Sequence, residues 1–417
     1  MPRKNEYIAV LDIGTTKICA ILGQILDKGR LQVLAIGQSD SKGLRRGVVI
    51  NMDEAVHAVG QAVAEVESAS GLQMESAFVG ISGEHIQGGN SSGVVPVRGR
   101  HSEIGAEDIK RVIEAARAII TVPNDRDLIH IIPQEFIIDG QDGIFNPTGM
   151  TGTRLEVNVH LVTGNCATIQ NIITAVNHAG VSVETVVLQP LASAEAVLSR
   201  DEKEQGCLVM DIGGGTTDLA VFTRNAVWST AVLPVAGSHI TRDLAVGLRT
   251  PIPEAEHLKK NFTCVDPSFL KEEKTIEIKA VGGGTPRVLS NRILYEIGQP
   301  RAEEILQLSL TEVKKLGFEK QQLMAGVIIT GGGSLLEGIL TLAEQIFDLP
   351  VRRGYPVALE GLTESMRTPA NATAIGLLLY GLKSRTNQLV GELKNRLPGG
   401  ILNGWVDGLL EWFSRKF

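Results

Sequence analysis

Hydrophobic and polar positions along this chain follow two different periods. Short runs of consecutive apolar residues, bounded by glycine and polar turns, predict buried strands; two of them run from Tyr7 to Leu11 and from Cys207 to Met210. Apolar residues at three- and four-residue spacing predict helices, as in residues 53–70. The apolar stripe of that helix consists of Val56, Val59, Val63 and Val66. Because strands and helices alternate over most of the chain, the pattern predicts an α/β fold.

The same two periods predict the remaining elements. Further strands are expected at residues 77–81, 128–138, 155–164, 183–188 and 327–330. Further helices are expected at about 106–120, 168–179, 190–198, from about 238, 253–262, about 300–316 and 369–382. The sequence GGNSSG, residues 88–93, is typical of turns because glycine, serine and asparagine dominate it.

One short phrase occurs twice, each time directly after one of the two strands named first. DIGTTKICAILG begins at Asp12 and DIGGGTTDLAVF begins at Asp211; we call residues 12–17 the first hairpin and residues 211–217 the second hairpin. Glycine lets backbone N–H groups approach a phosphate, and the threonine hydroxyls add donors. The repeat predicts a duplicated fold with one phosphate hairpin in each half, facing across a cleft that binds a nucleoside triphosphate.

A third glycine-rich phrase, VIITGGGSLLEG, begins at Val327. A strand leads into Gly331, Gly332, Gly333 and Ser334, which we call the third motif, and a helical pattern follows. Glycines at a strand-to-helix turn let a flat base or ribose lie against bare backbone. Any one of the three phrases could be an ordinary turn, but their combination predicts a nucleotide site. VGGGTP at Val281 lacks a strand-to-helix frame and is expected to be a surface loop.

Composition narrows the class of protein. A chain of 417 residues predicts two to four domains, and 43% hydrophobic residues exclude wholesale disorder. The net charge of −7 argues against a surface that coats nucleic acid. The four cysteines form no CxxC pair and no metal-ligand spacing is visible, so we expect a reducing cytosol and no transition metal. No signal peptide or spanning segment is expected.

The three phrases resemble those of the actin, Hsp70 and hexokinase superfamily, over roughly residues 7–382. Within that range, residues 86–163, with PQEFIIDG and RLEVNVHLVTG, resemble the bacterial cell-division family FtsA, as does the C-terminal end. The resemblance implies an actin-like ATPase fold of two duplicated ribonuclease-H-like halves around a nucleotide cleft. It also implies a small α/β module inserted in each half and a C-terminal amphipathic helix.

The resemblance divides the chain into six parts. The first core subdomain would comprise residues 1–85 and 164–205, interrupted by the inserted module at 86–163. The second would comprise 206–248 and 304–382, interrupted by a second insertion at 249–303. Residues 383–400 would be a flexible linker, and residues 401–417 a membrane-targeting helix.

The resemblance also assigns site residues. Asp12 and Asp211 would hold Mg²⁺ through water, and Lys17 would place a positive charge near the phosphates of ATP. Glu256 and Lys259, on one helix face, match the ribose and adenine contacts, although a solvated ion pair is the alternative. The other implied contacts are Gly14, Thr15 and Thr16 in the first hairpin, Gly213, Gly214, Gly215, Thr216 and Thr217 in the second, and Gly331, Gly332, Gly333 and Ser334 in the third motif.

Hydrolysis depends on a group that positions water. In the superfamily this group precedes the first connecting helix, and here that position holds Gln189, ahead of Pro190. An amide orients water but accepts no proton at neutral pH. No other base is visible in the sequence, so we expect ATP to act mainly as a clamp between the halves, with slow turnover at most.

The C-terminal segment predicts a membrane contact. Residues 383–400 carry a local charge of about +3. In residues 401–417 the apolar side chains fall on one half of a helix, which favours a position in the headgroup region of an anionic membrane. Packing of this helix on the protein's own core is the alternative. The residues expected to enter the membrane are Trp405, Leu409, Trp412 and Phe413, with Lys416 at the edge extending its ammonium toward water.

The resemblance implies a function in division. The family tethers filaments of the tubulin-like protein FtsZ to the inner face of the cytoplasmic membrane at the septum. It binds the C-terminal peptide of FtsZ through the second insertion, self-associates into actin-like protofilaments and recruits later division proteins. Three rivals are a small-molecule kinase, an Hsp70-type chaperone and a pilus-assembly relative. The kinase would need an aspartate base in the cleft, the chaperone a longer C-terminal region, and the pilus relative has no use for the C-terminal helix.

Overall fold

A computed structural model describes residues 7–270, 275–281 and 285–396. The strands are β1 (Tyr7–Ile13), β2 (Lys17–Ile25), β3 (Leu31–Asp40), β4 (Leu44–Arg45), β5 (Val48–Val49), β6 (Ser76–Ile81), β7 (Gln87–Pro96), β8 (Arg126–Ile138), β9 (Gln141–Ile144), β10 (Arg154–Asn165), β11 (Ser182–Leu188), β12 (Cys207–Ile212), β13 (Thr217–Thr223), β14 (Ala226–Leu233), β15 (Thr275–Ile278), β16 (Arg287–Ser290), β17 (Val327–Thr330) and β18 (Val351–Arg353). The helices are α1 (Met52–Ser70), α2 (Ala106–Ile119), α3 (Cys166–His178), α4 (Gln189–Val197), α5 (Arg200–Gln205), α6 (Gly237–Leu248), α7 (Ile252–Phe262), α8 (Arg292–Lys315), α9 (Ile339–Phe347) and α10 (Ala372–Arg396).

Two five-stranded sheets repeat one scheme. The first has the order β11-β6-β1-β2-β3 and the second the order β14-β13-β12-β17-β18. In each, a central strand pairs antiparallel with the strand that follows it and parallel with a later one: β1 pairs with β2 and β6, and β12 with β13 and β17. The predicted α/β fold with two duplicated halves is therefore confirmed.

Helices α4 and α10 pack against each other and against strands of both sheets. The two helix backbones approach so closely at Gly376 that no side chain fits there, because a Cβ added at Gly376 would lie 1.8 Å from the carbonyl oxygen of Ala192. Ala194, Ala196 and Ala374 are also fully buried in this contact region. The small residues in the sequence thus bring two helix backbones together beneath the ends of β1 and β12.

Residues 87–165 contribute a separate sheet with the order β7-β10-β8-β9. The prediction of turns at residues 88–93 is wrong, because this segment lies within β7, which pairs with β10 along its whole length. Its glycines serve packing instead. A Cβ at Gly93 would lie 2.4 Å from the backbone of Val112 and Ala116, so only glycine lets α2 approach the strand.

This third sheet is inserted into the first half but contacts the second. Asn90 and Gln134 donate hydrogen bonds of 3.1 and 2.9 Å to the carbonyl oxygen of Trp228 in β14. The ring of His160 lies 2.8 Å from Oγ1 of Thr230, also in β14. Since β14 is the edge of the second sheet, the inserted sheet covers an edge that would otherwise be open.

Helix α8 begins earlier than the sequence suggests. We expected a helix from about Pro300, but α8 begins at Arg292 and contains Pro300 within it. Buried Leu294, Gly298 and Ala302 lie on both sides of the proline. Packing on either side of Pro300 holds the helix together despite the missing backbone donor.

Helix α10 continues to Arg396, so the segment expected to be a linker from residue 383 is helical at its start. The sequence offers no helix-breaking proline before Pro398, which explains the extension. Two of its cations are paired: Lys383 with Glu195, and Arg385 with Glu184 at 2.8 Å. The membrane residues proposed within 401–417 lie outside the described residues. Among the residues described, no helix has the length and apolarity needed to cross a bilayer.

Candidate functional site

A cavity of about 640 Å³ lies between the two hairpins and the third motif. Strand β1 ends at its wall with Asp12 and strand β12 ends there with Asp211, so the duplicated strands bring the two carboxylates to one space. The other predicted site residues that line the cavity are Gly14, Thr15, Thr16, Lys17, Gln189, Gly213, Gly214, Gly215, Thr216, Glu256, Lys259, Gly331, Gly332 and Gly333.

Two predicted contacts face elsewhere. Thr217 and Ser334 are fully buried and are not among the residues that line the cavity. The Thr217 hydroxyl donates a 2.7 Å hydrogen bond to the carbonyl oxygen of Val235, and the Ser334 hydroxyl donates one of 2.7 Å to that of Gly331. Both hydroxyls therefore hold the local backbone, and the structure gives them no ligand-facing position.

The two hairpins touch each other across the cleft. A Cβ at Gly214 would lie 2.4 Å from the side chain of Thr16, and one at Gly215 would lie 2.5 Å from Oγ1 of Thr15. Only glycine at these positions leaves room for the threonines of the opposite hairpin. The second copy of the phrase thus has a steric reason for the two glycines that stand where the first copy has Thr15 and Thr16.

Asp12 is a buried carboxylate, and within the described part of the chain it has one side-chain hydrogen-bond partner. Its Oδ1 accepts a 2.8 Å hydrogen bond from Nε2 of Gln189, the first residue of α4. Burial raises the pKa of Asp12 to about 7; the charge of Lys17 opposes this rise and the charge of Asp211 adds to it. Gln189, considered above for positioning water, uses its amide N–H to orient this carboxylate.

Asp211 is held by two hydroxyl groups that the sequence analysis missed. Its Oδ2 accepts hydrogen bonds of 2.5 Å from Ser193 in α4 and 3.0 Å from Thr373 in α10. Burial raises the pKa of Asp211, and both hydroxyls oppose this rise. The carboxylate also requires Gly331, since a Cβ there would lie 2.2 Å from its Oδ1 and the residue has a φ of 78°.

Lys17 reaches from the first hairpin to the start of α10. Its ammonium donates hydrogen bonds of 2.9 Å to the carbonyl oxygen of Ala370 and 2.6 Å to Oδ1 of Asn371. An ammonium has three donors, so one is left to face the cavity that Lys17 lines.

Glu256 and Lys259 lie on one face of α7 and both line the cavity. Their charged groups are 2.7 Å apart, and Lys259 also donates a 3.2 Å hydrogen bond to the carbonyl oxygen of Gly237. The side chain of Lys259 is only 16% exposed, which argues against the alternative of a solvated ion pair.

The sequence analysis also missed a carboxylate, Asp218, which lines the cavity. It accepts hydrogen bonds from the hydroxyls of Ser82 and Thr216. Burial, reinforced by the charge of Asp211, raises the pKa of Asp218 to about 8. We expected no candidate base in the cleft, and this is wrong, because Asp218 is a carboxylate that lines the cavity and its ionised form can accept a proton.

A comparison of the two copies of the phrase could have revealed Asp218. In β12 and β13 the residue opposite Asp211 is Asp218, whereas in β1 and β2 the residue opposite Asp12 is Cys19. The second copy thus carries a polar group where the first carries an apolar one. Such a difference between otherwise similar repeats indicates a position that is not needed for the fold alone.

Solved structures with the same architecture define the class of protein. The chain resembles the PilM–PilN type IV pilus biogenesis complex with a TM-score of 0.65, at 18% identity over 91% of this chain and 99% of that one. It resembles MreB5 of Spiroplasma citri bound to ADP with a TM-score of 0.55, at 15% identity over 92% of this chain and 98% of that one. The fold is therefore that of the actin-like proteins.

Sequence comparisons identify the family. The chain is 42% identical to the cell division protein FtsA of Pseudomonas aeruginosa over 92% of its length and 91% of that protein's. It is 40% identical to FtsA of Neisseria meningitidis over the whole of both chains, and 35% identical to FtsA of Escherichia coli over 99% of each. The family model of cell division protein FtsA matches residues 208–376, and that of the SHS2 domain inserted in FtsA matches residues 83–163. The chain belongs to the FtsA family of cell division proteins.

Proposed function

We propose that the cleft binds ATP together with Mg²⁺. The observation that carries this proposal is that Asp12 and Asp211, the equivalent residues of two duplicated strands, line one cavity with glycine-rich hairpins. The related MreB5 of Spiroplasma citri has been solved bound to ADP and bound to AMPPNP. Phosphates would lie between the hairpins, and the nucleoside would lie between the third motif and α7.

The carboxylates suit a magnesium ion. Burial raises the pKa of Asp12 and of Asp211, so both would gain from a cation that stabilises their ionised forms. When bound, Mg²⁺ supplies positive charge that offsets the charge of the phosphates. Gln189, Ser193 and Thr373 fix the directions in which the two carboxylates point.

Asp218 makes slow hydrolysis of ATP chemically feasible. Its carboxylate lines the cavity, and its raised pKa suits the acceptance of a proton from water. ATP turnover would be slow, and its rate would set how long the cleft holds ATP. The same carboxylate could serve the rival function, a small-molecule kinase, and rapid turnover that depends on an added sugar would favour that rival.

In cell division, we infer that the protein tethers FtsZ filaments to the inner face of the cytoplasmic membrane at the septum, as a peripheral membrane protein. The aromatic face of residues 401–417, with Trp405, Leu409, Trp412 and Phe413, and with Lys416 at its edge, would enter the anionic headgroup region. Lys383 and Arg385 already pair with glutamates of the first half, so the attraction to anionic lipid would come from cations that follow them in the chain.

The second insertion, residues 249–303, would bind the C-terminal peptide of FtsZ. Its described surface exposes apolar side chains, among them Ile252 at 54% and Val288 at 65%. The side chains of Lys260 and Lys279 in the same insertion are 67% and 74% exposed, and they pair with Glu256 and Glu254. Such a surface suits a short peptide with apolar and acidic residues.

The proposal also includes self-association into actin-like protofilaments. It further includes recruitment of later division proteins, partly through residues 86–163.

Reconstitution on vesicles tests the tether. Labelled FtsZ filaments are mixed with vesicles that contain anionic lipid, and filaments bound to vesicles are counted by flotation with the full chain present. We expect recruitment by the full chain, its loss when residues 401–417 are deleted, and its loss when FtsZ lacks its C-terminal peptide. Vesicles of neutral lipid are the control. Recruitment that survives both deletions would contradict the tether.

A further inference from the structure

A short hairpin of the first half crosses toward the second half at the mouth of the cleft. Strands β4 and β5 are joined by Arg46 and Gly47, with φ angles of 50° and 77°. Two consecutive residues in the left-handed region form the tight turn that suits a two-residue hairpin. Gly47 lines the cavity, and a Cβ there would lie 1.7 Å from the carbonyl oxygen of Ser82, so the tip is pressed against the end of β6.

The tip brings the guanidinium of Arg46 to His239 of the second half. Nη2 of Arg46 lies 3.2 Å from Nε2 of His239, which is the third residue of α6. The other ring nitrogen, Nδ1, accepts a 3.1 Å hydrogen bond from the backbone N–H of Ala236. A neutral imidazole has only one acceptor nitrogen, so Nε2 carries a hydrogen. Two N–H donors, one from each half, therefore face each other without an acceptor between them.

The charges around this pair do not supply the missing acceptor. Burial lowers the pKa of His239, the contact with the backbone of Ala236 opposes this, and the cations of Arg46, Arg301 and Arg242 lower it further, which favours the neutral ring. Arg301 is balanced by Asp243 at 2.6 Å and by Glu304. Among the ion pairs of the described residues, none includes Arg46. The site is thus electropositive and presents converging donors.

Both sides of the pair are continuous with the proposed nucleotide site. Gly47, next to Arg46, and Gly237, two residues before His239, line the cavity. Ser82, against which the tip is pressed, donates a hydrogen bond to Asp218. Arg46 and His239 are not themselves among the residues that line the cavity, so the pair lies next to the cavity wall, on the side of Ser82 and Asp218.

We propose that Arg46 and His239 bind the terminal phosphate of a nucleoside triphosphate, which joins the two halves through one oxyanion. The inference rests on the proposed nucleotide function and specifies how the cleft distinguishes a triphosphate from a diphosphate. A phosphate oxygen accepts from both N–H groups and removes the unfavourable contact between two donors. A diphosphate lacks the group that would reach them.

The test compares two arginines of one hairpin. Arg46→Gln removes the cation and supplies an amide oxygen that can accept from Nε2–H of His239. Arg45→Gln, at the neighbouring exposed position, removes the same charge and is the control. Dissociation constants for Mg-ATP and Mg-ADP are measured by calorimetry. We expect Arg46→Gln to weaken ATP binding by about 10-fold and to change ADP binding by less than about 2-fold, whereas Arg45→Gln changes neither. Arg46→Lys should restore part of the ATP preference.

Thermal unfolding without nucleotide separates this role from a structural one. Because the glutamine oxygen satisfies His239, Arg46→Gln should leave the midpoint unchanged or raise it. A lowered midpoint, or equal weakening of ATP and ADP, would overturn the proposal. A third result would also overturn it: inorganic phosphate raises the unfolding midpoint of the wild type but not that of Arg46→Gln, and the wild type binds ATP and ADP equally well. The site would then bind free phosphate and not the terminal phosphate of a nucleotide. If the wild type binds ATP and Arg46→Gln changes nothing, only this inference fails; if the wild type binds neither nucleotide, the proposed nucleotide function fails with it.

Discussion

Lys17 of the first hairpin and Asn371 at the start of α10 are joined by a 2.6 Å hydrogen bond, although 354 positions separate them in the chain. The Asn371 amide is nearly fully buried; its oxygen also accepts from Gln38 at 3.2 Å and its nitrogen donates to the carbonyl oxygen of Met366 at 2.7 Å. The segment before α10 also contacts the third motif, because the N–H of Gly331 donates to the carbonyl oxygen of Pro369. The start of α10 therefore connects the motifs that surround the cavity.

Replacement of Asn371 by alanine should destabilise the protein. It removes the acceptor of the Lys17 ammonium and leaves the carbonyl group of Met366 without its side-chain donor, so we expect a loss of about 2 kcal/mol in the free energy of unfolding. Urea denaturation followed by circular dichroism measures it. Asn124→Ala, at an exposed position, should cost little. Equal stability of both variants would show that the Lys17–Asn371 contact contributes nothing.

Gly93 in β7 offers a steric test of the inserted sheet. Gly93→Ala places a methyl group 2.4 Å from the backbone of α2, so we expect destabilisation of about 1 to 3 kcal/mol. Gly89→Ala is the matched control, since a Cβ at that position of the same strand meets nothing within 4 Å. Thermal unfolding of the two variants should differ clearly in midpoint. If they unfold together, α2 does not pack on β7 as described.

Two histidines, the half-buried His130 and the fully buried His160, should make stability depend on pH. Burial lowers the pKa of His130 and of His160 to about 4, below the value of about 6.5 for an unfolded chain. The unfolded chain therefore binds more protons between these values, so stability is fully present above about pH 6.5 and is lost as the pH falls toward 4. Each histidine contributes at most about 3 kcal/mol.

A comparison of the wild type with His160→Gln isolates the contribution of His160 to this pH dependence. The free energy of unfolding of both proteins is measured at about pH 7.5 and about pH 5. Its ring is held between Oδ1 of Asn90 at 2.7 Å and Oγ1 of Thr230 at 2.8 Å. His160→Gln should be less stable than the wild type at the higher pH. Its free energy of unfolding should, however, fall by up to about 2 kcal/mol less than that of the wild type when the pH is lowered from the higher to the lower value. The exposed-site variant His57→Gln should keep the wild-type loss. A wild-type loss in His160→Gln would contradict this account.

Asp218 offers a test of hydrolysis. Asp218→Asn keeps the size of the side chain but cannot accept a proton, so we expect ATP turnover to fall by about 100-fold or more. Binding of Mg-ATP should change only a few-fold. Phosphate release under single-turnover conditions measures the rate, and Asp142→Asn, at an exposed position, serves as the control. An unchanged rate of phosphate release would show that Asp218 does not take part in hydrolysis.

The sequence predicts those parts of the structure whose signals are local. Apolar runs placed β1 and β12, and the repeated phrase placed Asp12 and Asp211 at their ends, because a strand followed by Asp-x-Gly needs only its own residues to be recognised. Strand β7 was missed since its glycines are explained by α2, which packs against it from elsewhere in the chain. The early start of α8 likewise depends on packing around Pro300 rather than on its own sequence.

The missed parts of the site are contacts between distant segments. Ser193 and Thr373 lie in α4 and α10, and nothing in their local sequence indicates that both hydroxyls meet Asp211. Arg46 and His239 belong to different halves and meet only when the hairpin tip crosses the cleft. Residues of this kind become visible when the fold brings the segments together, whereas glycine-rich phrases are visible beforehand.

A calorimetric titration of Mg-ATP into the wild type, Asp12→Asn and Asp211→Asn tests the central claim most directly. If the two carboxylates serve one ligand, each replacement should weaken Mg-ATP binding by about 100-fold or more, as expected for the loss of a charged partner in a buried site. Asp142→Asn should bind as the wild type does. Full Mg-ATP affinity in either Asp12→Asn or Asp211→Asn would contradict a shared nucleotide site between the two halves.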